Sequence, residues 1–551
     1  MATSSEIDGG RLAARQLRAA GIDTVFGVVA GPMIQVFSGA QAEGLRVVGC
    51  RHEENAAFMA SAWGWQKRLP GVVVVGSGPG MTNTVTALHV ATESGMPLVV
   101  LGGSAYGATR GIGAFQEANQ VAFAAPGCKW TGQVDSAARI GEWVHLALGR
   151  AVAGRPGGVY LDFPGEMVAQ GVPEAQARLR GARPEIARPH PDPRAVERVA
   201  EMLASAERPL VLVGKGAAWA DAGRALARLV DHGFPYVTSP MGRGVIPDDH
   251  ANFVNAARSH ALRSADAILV VGARMNWIFG FGHSPRYRED VRIAQIDLVA
   301  EEFTSGAEVE IGLVADAEVA VDAISEALAG RRLAVSGSPW LAELRRARDE
   351  NEAKLASVLA SDAVPINPYR LVREVRDALP RDTTLSVDGE TIMGICRTLL
   401  PSFSARSRLN AGTTGCMGTG VPYAIGAALA RPERPSIAVL GDYAFGTALM
   451  DVETAARVGA KVVFVVSNNE GIAGHMIQDH FLPPGSPRIA SLLPARYDKL
   501  AEMVDGHAEH VERPEEIAPA LRRALEADRV AVVHVRTDPK AYRLAGSNYL
   551  Q

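Results

Sequence analysis

The chain has 551 residues, 47% hydrophobic and 21% charged, with a formal net charge of −4. That length exceeds one ordinary core and predicts about three domains. The mildly acidic balance disfavours nucleic acid or an anionic membrane surface as a partner. Four scattered cysteines (Cys50, Cys128, Cys396 and Cys416) form no CxxC pair, against both a zinc knuckle and a disulfide scaffold.

The opening MATSSEIDGGRLAARQLRAAG lacks the apolar core of a signal peptide, and no stretch has the length and apolarity of a membrane span. The final YLQ is not a peroxisomal tripeptide. A cytoplasmic location is therefore expected. Short apolar runs then alternate with helix-length segments throughout. TVFGVVA, GVVVVGSG, PLVVLGG and GVYLDFP read as strands in the first third, and PLVLVGKG, AILVVGAR and RIAQIDL in the middle. TLSVDGE, SIAVLGD, KVVFVVSNN and VAVVHVRT do so in the last third. Strands apolar throughout, separated by helices, predict an α/β fold of three doubly wound domains with mainly parallel sheets. Linker-like stretches at 171–197 and 328–340 divide the chain into domains 1–182, 190–345 and 360–551.

Several stretches carry chemistry. In VVGCRHEENAAFMASAWGWQK an apolar strand ends at two adjacent carboxylates, Glu53 and Glu54, and a small-residue helix follows. The glycines of GSGPGMTNTVTALHVATESG permit close approach of backbone to a ligand. SIAVLGD delivers Asp442 to the carboxyl end of a sheet, where ligands bind in open α/β folds. LMDVETAARVGA is a plausible helix with Leu449, Val452, Ala455 and Ala456 on one face. KVVFVVSNN returns to the same edge and delivers Asn468, Asn469 and Gly471. One carboxylate oxygen, one amide oxygen and one carbonyl make a hard half-shell suited to Mg²⁺, with phosphate oxygens and water in the remaining positions. On these residues alone, Asp442 as a helix cap and the asparagines as a strand end is an equal reading.

The unit from Gly441 to Gly474 resembles the diphosphate-binding signature of thiamine-diphosphate enzymes, which begins GDG and ends NN. RHEE resembles the family's HE motif, and LNAGTTGCMGTGVPYAIGAALA its cofactor-bending segment. The resemblance covers all three domains, in the order pyrimidine, central, diphosphate. It implies that Glu53 is the carboxyl beside the aminopyrimidine ring, that Glu54 is a helix-start carboxylate and that His52 is structural. It implies that the Gly415 carbonyl accepts from the 4′-amino group and that Met417 wedges between the two cofactor rings. Asp442, Asn469 and the Gly471 carbonyl are then the Mg²⁺ ligands, with Tyr443, Ala444 and Ile472 beside the diphosphate. Tyr443 departs from the signature's glycine, which alters the local turn. In this family the cofactor lies between two subunits, so a homodimer is the minimum active unit and a homotetramer is common.

GRPGGVYLDFPGEM, LVGKGAAWADA and VVGARMNWIFGFG look like oxalyl-CoA decarboxylase and 2-hydroxyacyl-CoA lyase, which act on acyl-CoA thioesters. GAFQE, with Phe115 and Gln116, resembles the lyases more, and Gln116 is then a neutral hydrogen-bonding group facing the thioester or hydroxyl. In NNEGIAG, Glu470 stands where relatives have a small or neutral residue, and Ala473 where they have tyrosine. A lyase must take the proton from the hydroxyl of the departing carbon, whereas release of CO₂ needs no such base. Glu470 is the candidate base, and Ala473 makes room for a second substituent. Short, branched substrates such as 2-hydroxyisobutyryl-CoA, giving formyl-CoA and acetone, are the expectation. In the plainer reading Glu470 orients a metal-bound water, and Phe481, Tyr542 or Tyr549 replaces the missing ring. Arg397 and the tail residues Lys540 and Arg543 are candidates for the CoA phosphates, with the tail as a lid. Lys215, Arg274 and Asp297 match places where oxalyl-CoA decarboxylase-like proteins bind ADP as a regulatory ligand; a degenerate site is the alternative. Oxalyl-CoA decarboxylase and an acetolactate synthase-like enzyme remain as alternative functions.

Overall fold

The computed structural model describes residues 6–181 and 186–543. Three parallel sheets organise it. The first runs Arg46–Gly49, Thr24–Gly27, Gly71–Val75, Leu98–Ser104, Gly158–Pro164, Trp130–Gln133 in spatial order. The second runs Tyr236–Thr238, Pro209–Val213, Ala267–Val271, Arg292–Asp297, Ile311–Val314. The third runs Arg408–Leu409, Thr384–Asp388, Ser436–Gly441, Val462–Asn468, Ala531–Arg536, His507–Val511. The central strands are buried along their whole length, as their unbroken valine and leucine runs require. Each such run delivers its last residues to the carboxyl end of a sheet, where ligands bind in open α/β folds. No helix among the described residues is long and apolar enough to cross a membrane.

Five strands of these three sheets were not legible as apolar runs: Trp130–Gln133, Tyr236–Thr238, Ile311–Val314, Arg408–Leu409 and His507–Val511. All five are sheet edges. An edge strand is paired on one side only and need not be apolar on both faces; in Ile311–Val314 burial alternates residue by residue. In a short antiparallel pair, Glu6–Asp8 with Gly171–Pro173, the second strand lies within the stretch expected to be linker. The helix Trp340–Ala353 runs across the expected boundary at 345. It is pinned by the buried Trp340, whose indole N–H donates to the Pro209 carbonyl at 2.9 Å.

The chain forms two compact units. The first holds Met1–Ile186 with Ala411–Glu433 and Ala448–Val462; the second holds Ala187–Asn410, Arg434–Thr447 and Val463–Gln551. The helix Gly420–Ala430 explains the first exchange. It is apolar nearly all round, so it must be covered on every side. It packs on the small-residue helix Glu53–Lys67: a Cβ at Gly426 would sit 2.1 Å from the Met59 carbonyl oxygen, and Tyr423 meets Phe58 edge-on at 5.7 Å. The second exchange carries the helix Asp451–Arg457, shorter than the sequence predicts and preceded by a separate turn, Asp442–Gly446. Val452 and Ala455 are buried, as expected of its inner face.

Candidate active site

In the second unit the strand Ser436–Gly441 ends at Asp442, and Val462–Asn468 ends beside Asn469. Asp442 is 1% exposed. Its Oδ1 accepts from the Tyr443 N–H at 2.8 Å and its Oδ2 from the Gly471 N–H at 2.9 Å. Burial pushes its carboxyl up to about 7, opposed by the backbone N–H groups of Tyr443, Gly471 and Glu470.

The Asn469 amide fits its surroundings in either of two orientations related by exchange of its oxygen and nitrogen. In one, Oδ1 lies 3.2 Å from Asp442 Oδ1 and 3.0 Å from the Gly471 carbonyl oxygen, and Nδ2 faces the Gly474 N–H at 3.1 Å. In the other, Nδ2 donates to both oxygens and Oδ1 accepts from Gly474. Without a cation the second orientation is favoured, since it replaces three like contacts with hydrogen bonds. A cation between the oxygens reverses that preference. Ligands at right angles about Mg²⁺, each at ~2.1 Å, are ~3.0 Å apart. The donor set therefore fits that ion in chemistry and in spacing.

Gly471 is held at φ +142, where a Cβ would lie 2.2 Å from the Ala490 carbonyl oxygen. Only glycine leaves room for the neighbouring segment there. Ala444 is buried, Ile472 half-buried, and Tyr443 is 37% exposed at the turn where the signature has glycine.

Glu470 and Ala473 follow, at φ +62 and +53. Gln116, in the first unit, is at φ +54. Among the described residues, eight non-glycine residues have positive φ, and three of them are positions singled out for the substrate. Such backbone costs about 1–2 kcal/mol per residue and concentrates at functional sites. The Glu470 carboxylate is half-buried, with His475 Nε2 and Arg536 Nη2 each 3.9 Å from one of its oxygens. Neither residue was legible in the sequence as a neighbour of Glu470. Arg536 sits opposite Asn468 at the end of the strand Ala531–Arg536, and its position at a strand's carboxyl end was the available signal. Ala473 is buried, Phe481 is 74% exposed, and Tyr542 packs against His480. Tyr549 lies outside the described residues.

In the first unit Glu53 opens the helix Glu53–Lys67, and His52 caps it by accepting from the Glu54 N–H at 3.2 Å. Burial pushes the Glu54 carboxyl up, offset by His52. Glu53 is half-buried and its Oε2 accepts from Asn83 Nδ2 at 2.9 Å. Asn83 closes the glycine-rich GSGPGMTN stretch, so that loop holds the carboxylate. Gln116 Oε1 accepts from the Ser77 hydroxyl at 3.2 Å, while Phe115 is 85% exposed. The Gln116 backbone packs so closely on Gly78 that a Cβ there would meet its carbonyl oxygen at 2.6 Å. Gly78 donates its N–H to the buried Gln120. Gly415 is exposed in left-handed backbone, and Met417 is half-buried two residues on.

Lys215 and Arg274 follow, and Asp297 ends, three adjacent strands of the second sheet, all at the strands' carboxyl ends. Arg274 is paired with Glu302 at 3.0 Å, and Asp297 caps the Val299 N–H. Arg397 is half-buried, its carbonyl accepting from Arg243. Arg543 is ion-paired with Glu390 and fills the space beside Gly394. That pair must open before Arg543 reaches a phosphate. The tail beyond Arg543, including most of the expected lid, lies outside the described residues.

Known proteins resemble the chain along its length. Residues 7–123 match the thiamine pyrophosphate enzyme N-terminal TPP binding domain, 196–324 the central domain and 390–535 the C-terminal TPP binding domain. A 2-hydroxyacyl-CoA lyase of Oryza sativa subsp. japonica is 36% identical over 557 residues, 97% of this chain and 96% of that one. The acetolactate synthase large subunit IlvG of Mycobacterium tuberculosis is 35% identical, over 98% of this chain and 97% of that one. Oxalyl-CoA decarboxylase of Escherichia coli is 33% identical, over 97% and 95%. With the three sheets, the glutamate held at the head of its helix and the oxygen half-shell already in place, this agreement assigns the chain to the thiamine pyrophosphate enzyme family.

Proposed function

We propose that the protein is a 2-hydroxyacyl-CoA lyase. It cleaves the C1–C2 bond of a 2-hydroxyacyl-CoA to formyl-CoA and an aldehyde or ketone, and runs in reverse as a condensation. Lyases of that name among the relatives support the reaction class. The observation that carries the choice is Glu470, a carboxylate on strained backbone between Asn469 and Gly471. Thiamine diphosphate, when bound, would supply the electron sink for carbon–carbon cleavage. Asp442, Asn469 and the Gly471 carbonyl hold Mg²⁺ for the diphosphate, with Tyr443, Ala444 and Ile472 beside it. The Gly415 carbonyl and Met417 would orient the ring system, and Glu53, held by Asn83, would be the carboxyl beside the aminopyrimidine.

In cleavage, Glu470 accepts the hydroxyl proton of the departing carbon; in condensation it returns that proton to the new alkoxide. Arg536 Nη2 and His475 Nε2, each 3.9 Å from a Glu470 oxygen, stand beside that carboxylate. Gln116 and Phe115 face the acyl group, and the small Ala473 admits a second substituent. Arg397 and Arg543 serve the CoA phosphates. Lys215, Arg274 and Asp297 are the residues that would meet a regulatory ADP, and the Arg274–Glu302 pair weakens that reading. The active assembly is at least a homodimer, with a homotetramer expected by light scattering, and the location is cytoplasmic.

Oxalyl-CoA decarboxylase is the second reading, favoured by 33% identity to that enzyme over nearly the whole chain. Incubation with thiamine diphosphate, Mg²⁺ and 2-hydroxyisobutyryl-CoA tests the proposal. Formyl-CoA and acetone in equal amounts support it; an unchanged thioester refutes the branched-substrate assignment.

A further inference from the structure

His510 and His534 are direct partners on the neighbouring parallel strands His507–Val511 and Ala531–Arg536. The Nδ1 atoms of the two rings lie 3.2 Å apart. Asp498 Oδ1 is 3.1 Å from Nδ1 of His534 and 3.9 Å from Nδ1 of His510. Two imidazole nitrogens and a carboxylate oxygen thus form a triangle. Ligands ~2.0–2.1 Å from a tetrahedral Zn²⁺ are ~3.4 Å apart, close to the mean of these edges.

The atoms around the triangle orient it. Glu512 Oε1 lies 3.5 Å from Nε2 of His510 and accepts from Arg536 at 2.9 Å. A carboxylate on Nε2 leaves the Nδ1 lone pair of that ring pointing inward, the usual support behind a metal-binding histidine. Arg496 donates to both Asp498 oxygens, at 2.8 and 2.6 Å, and fixes the carboxylate plane. Asp498 and His534 are nearly fully buried; His510 has a 20% exposed side chain and gives access.

We propose that Asp498, His510 and His534 bind one transition-metal dication of the zinc class, with water as the fourth ligand, distinct from the Mg²⁺ half-shell. Nitrogen ligands select this class over Mg²⁺. Binding moves the proton of His534 from Nδ1 to Nε2, which now faces Asn468 Nδ2 at 2.9 Å. The Asn468 amide then turns to accept it, giving up its bonds to the Ala495 carbonyl at 3.2 Å and the Glu470 N–H at 3.1 Å. Occupancy therefore reaches the backbone of Glu470.

The test is a titration of holoenzyme with Co²⁺ and with Zn²⁺, in excess Mg²⁺ and thiamine diphosphate, after removal of transition metals. The expected result is one equivalent per chain, with the intense visible absorption of tetrahedral Co²⁺. His510→Ala, at the partly exposed ligand, loses that equivalent while its melting temperature without metal is unchanged. Glu512→Gln weakens binding by about 10–100-fold. Absence of a tetrahedral spectrum in the native protein overturns the proposal, as does an identical titration of H510A.

Discussion

Asn83 donates from Nδ2 to Glu53 Oε2 at 2.9 Å. The glycine-rich loop thus sets the direction of the carboxylate proposed to serve the cofactor ring. Glu53→Gln should lower kcat by about 10²–10⁴-fold, the usual worth of a positioned acid or base. Asn83→Ala keeps the carboxyl and loses only its orientation. A charged hydrogen bond is worth about 1.5–3 kcal/mol, so a drop of roughly 10–100-fold in kcat is expected. Steady-state kinetics with saturating thiamine diphosphate checks both.

The half-shell of Asp442, Asn469 and the Gly471 carbonyl predicts metal dependence. Chelation should abolish turnover, and Mg²⁺ should restore it. Asn469→Ala should raise the Mg²⁺ concentration for half-maximal activity by about tenfold or more, on the scale of a lost charge-assisted contact. Asn469→Asp restores an oxygen ligand and should recover much of that loss.

Glu470→Gln keeps the size of the side chain and removes its basicity. Turnover of 2-hydroxyacyl-CoA should fall by about 10²-fold or more, with little change in the Michaelis constant. If oxalyl-CoA is accepted at all, its decarboxylation should be spared by the same substitution. An equal fall for both thioesters would place Glu470 in a structural role.

A pH effect on stability follows from the third sheet. Arg523 forks Glu509 with bonds of 2.7 and 2.7 Å, and this, with His507, holds the carboxyl below its ordinary 4.5 despite partial burial. A lowered folded pKa means that the stabilisation is present above the unfolded value and is lost as pH falls through the folded one. Melting temperature should therefore decline below about pH 4.5, and Glu509→Gln should flatten part of that decline.

The sequence-to-structure record is uneven for physical reasons. Val72–Val75 and Val463–Val466 are buried on both faces, so their runs announced central strands. His507–Val511 has one sheet neighbour and a mixed sequence, HAEHV, and did not. Asp442 and Asn469 were legible because they end such runs, and Glu53 because a strand stops before it. Asn83, His475 and Arg536 were not. Each works through a partner brought close by folding, and spacing along the chain does not encode that partner. Arg543 shows the converse: its charge was plain, but its engagement with Glu390 was not.

The most direct measurement is a competition. Equimolar 2-hydroxyisobutyryl-CoA and oxalyl-CoA are given to the enzyme with thiamine diphosphate and Mg²⁺, and acetone, CO₂ and formyl-CoA are followed together by mass spectrometry. The lyase account predicts acetone in step with formyl-CoA and in excess of CO₂. CO₂ matching formyl-CoA, with no acetone, would contradict it and leave a decarboxylase.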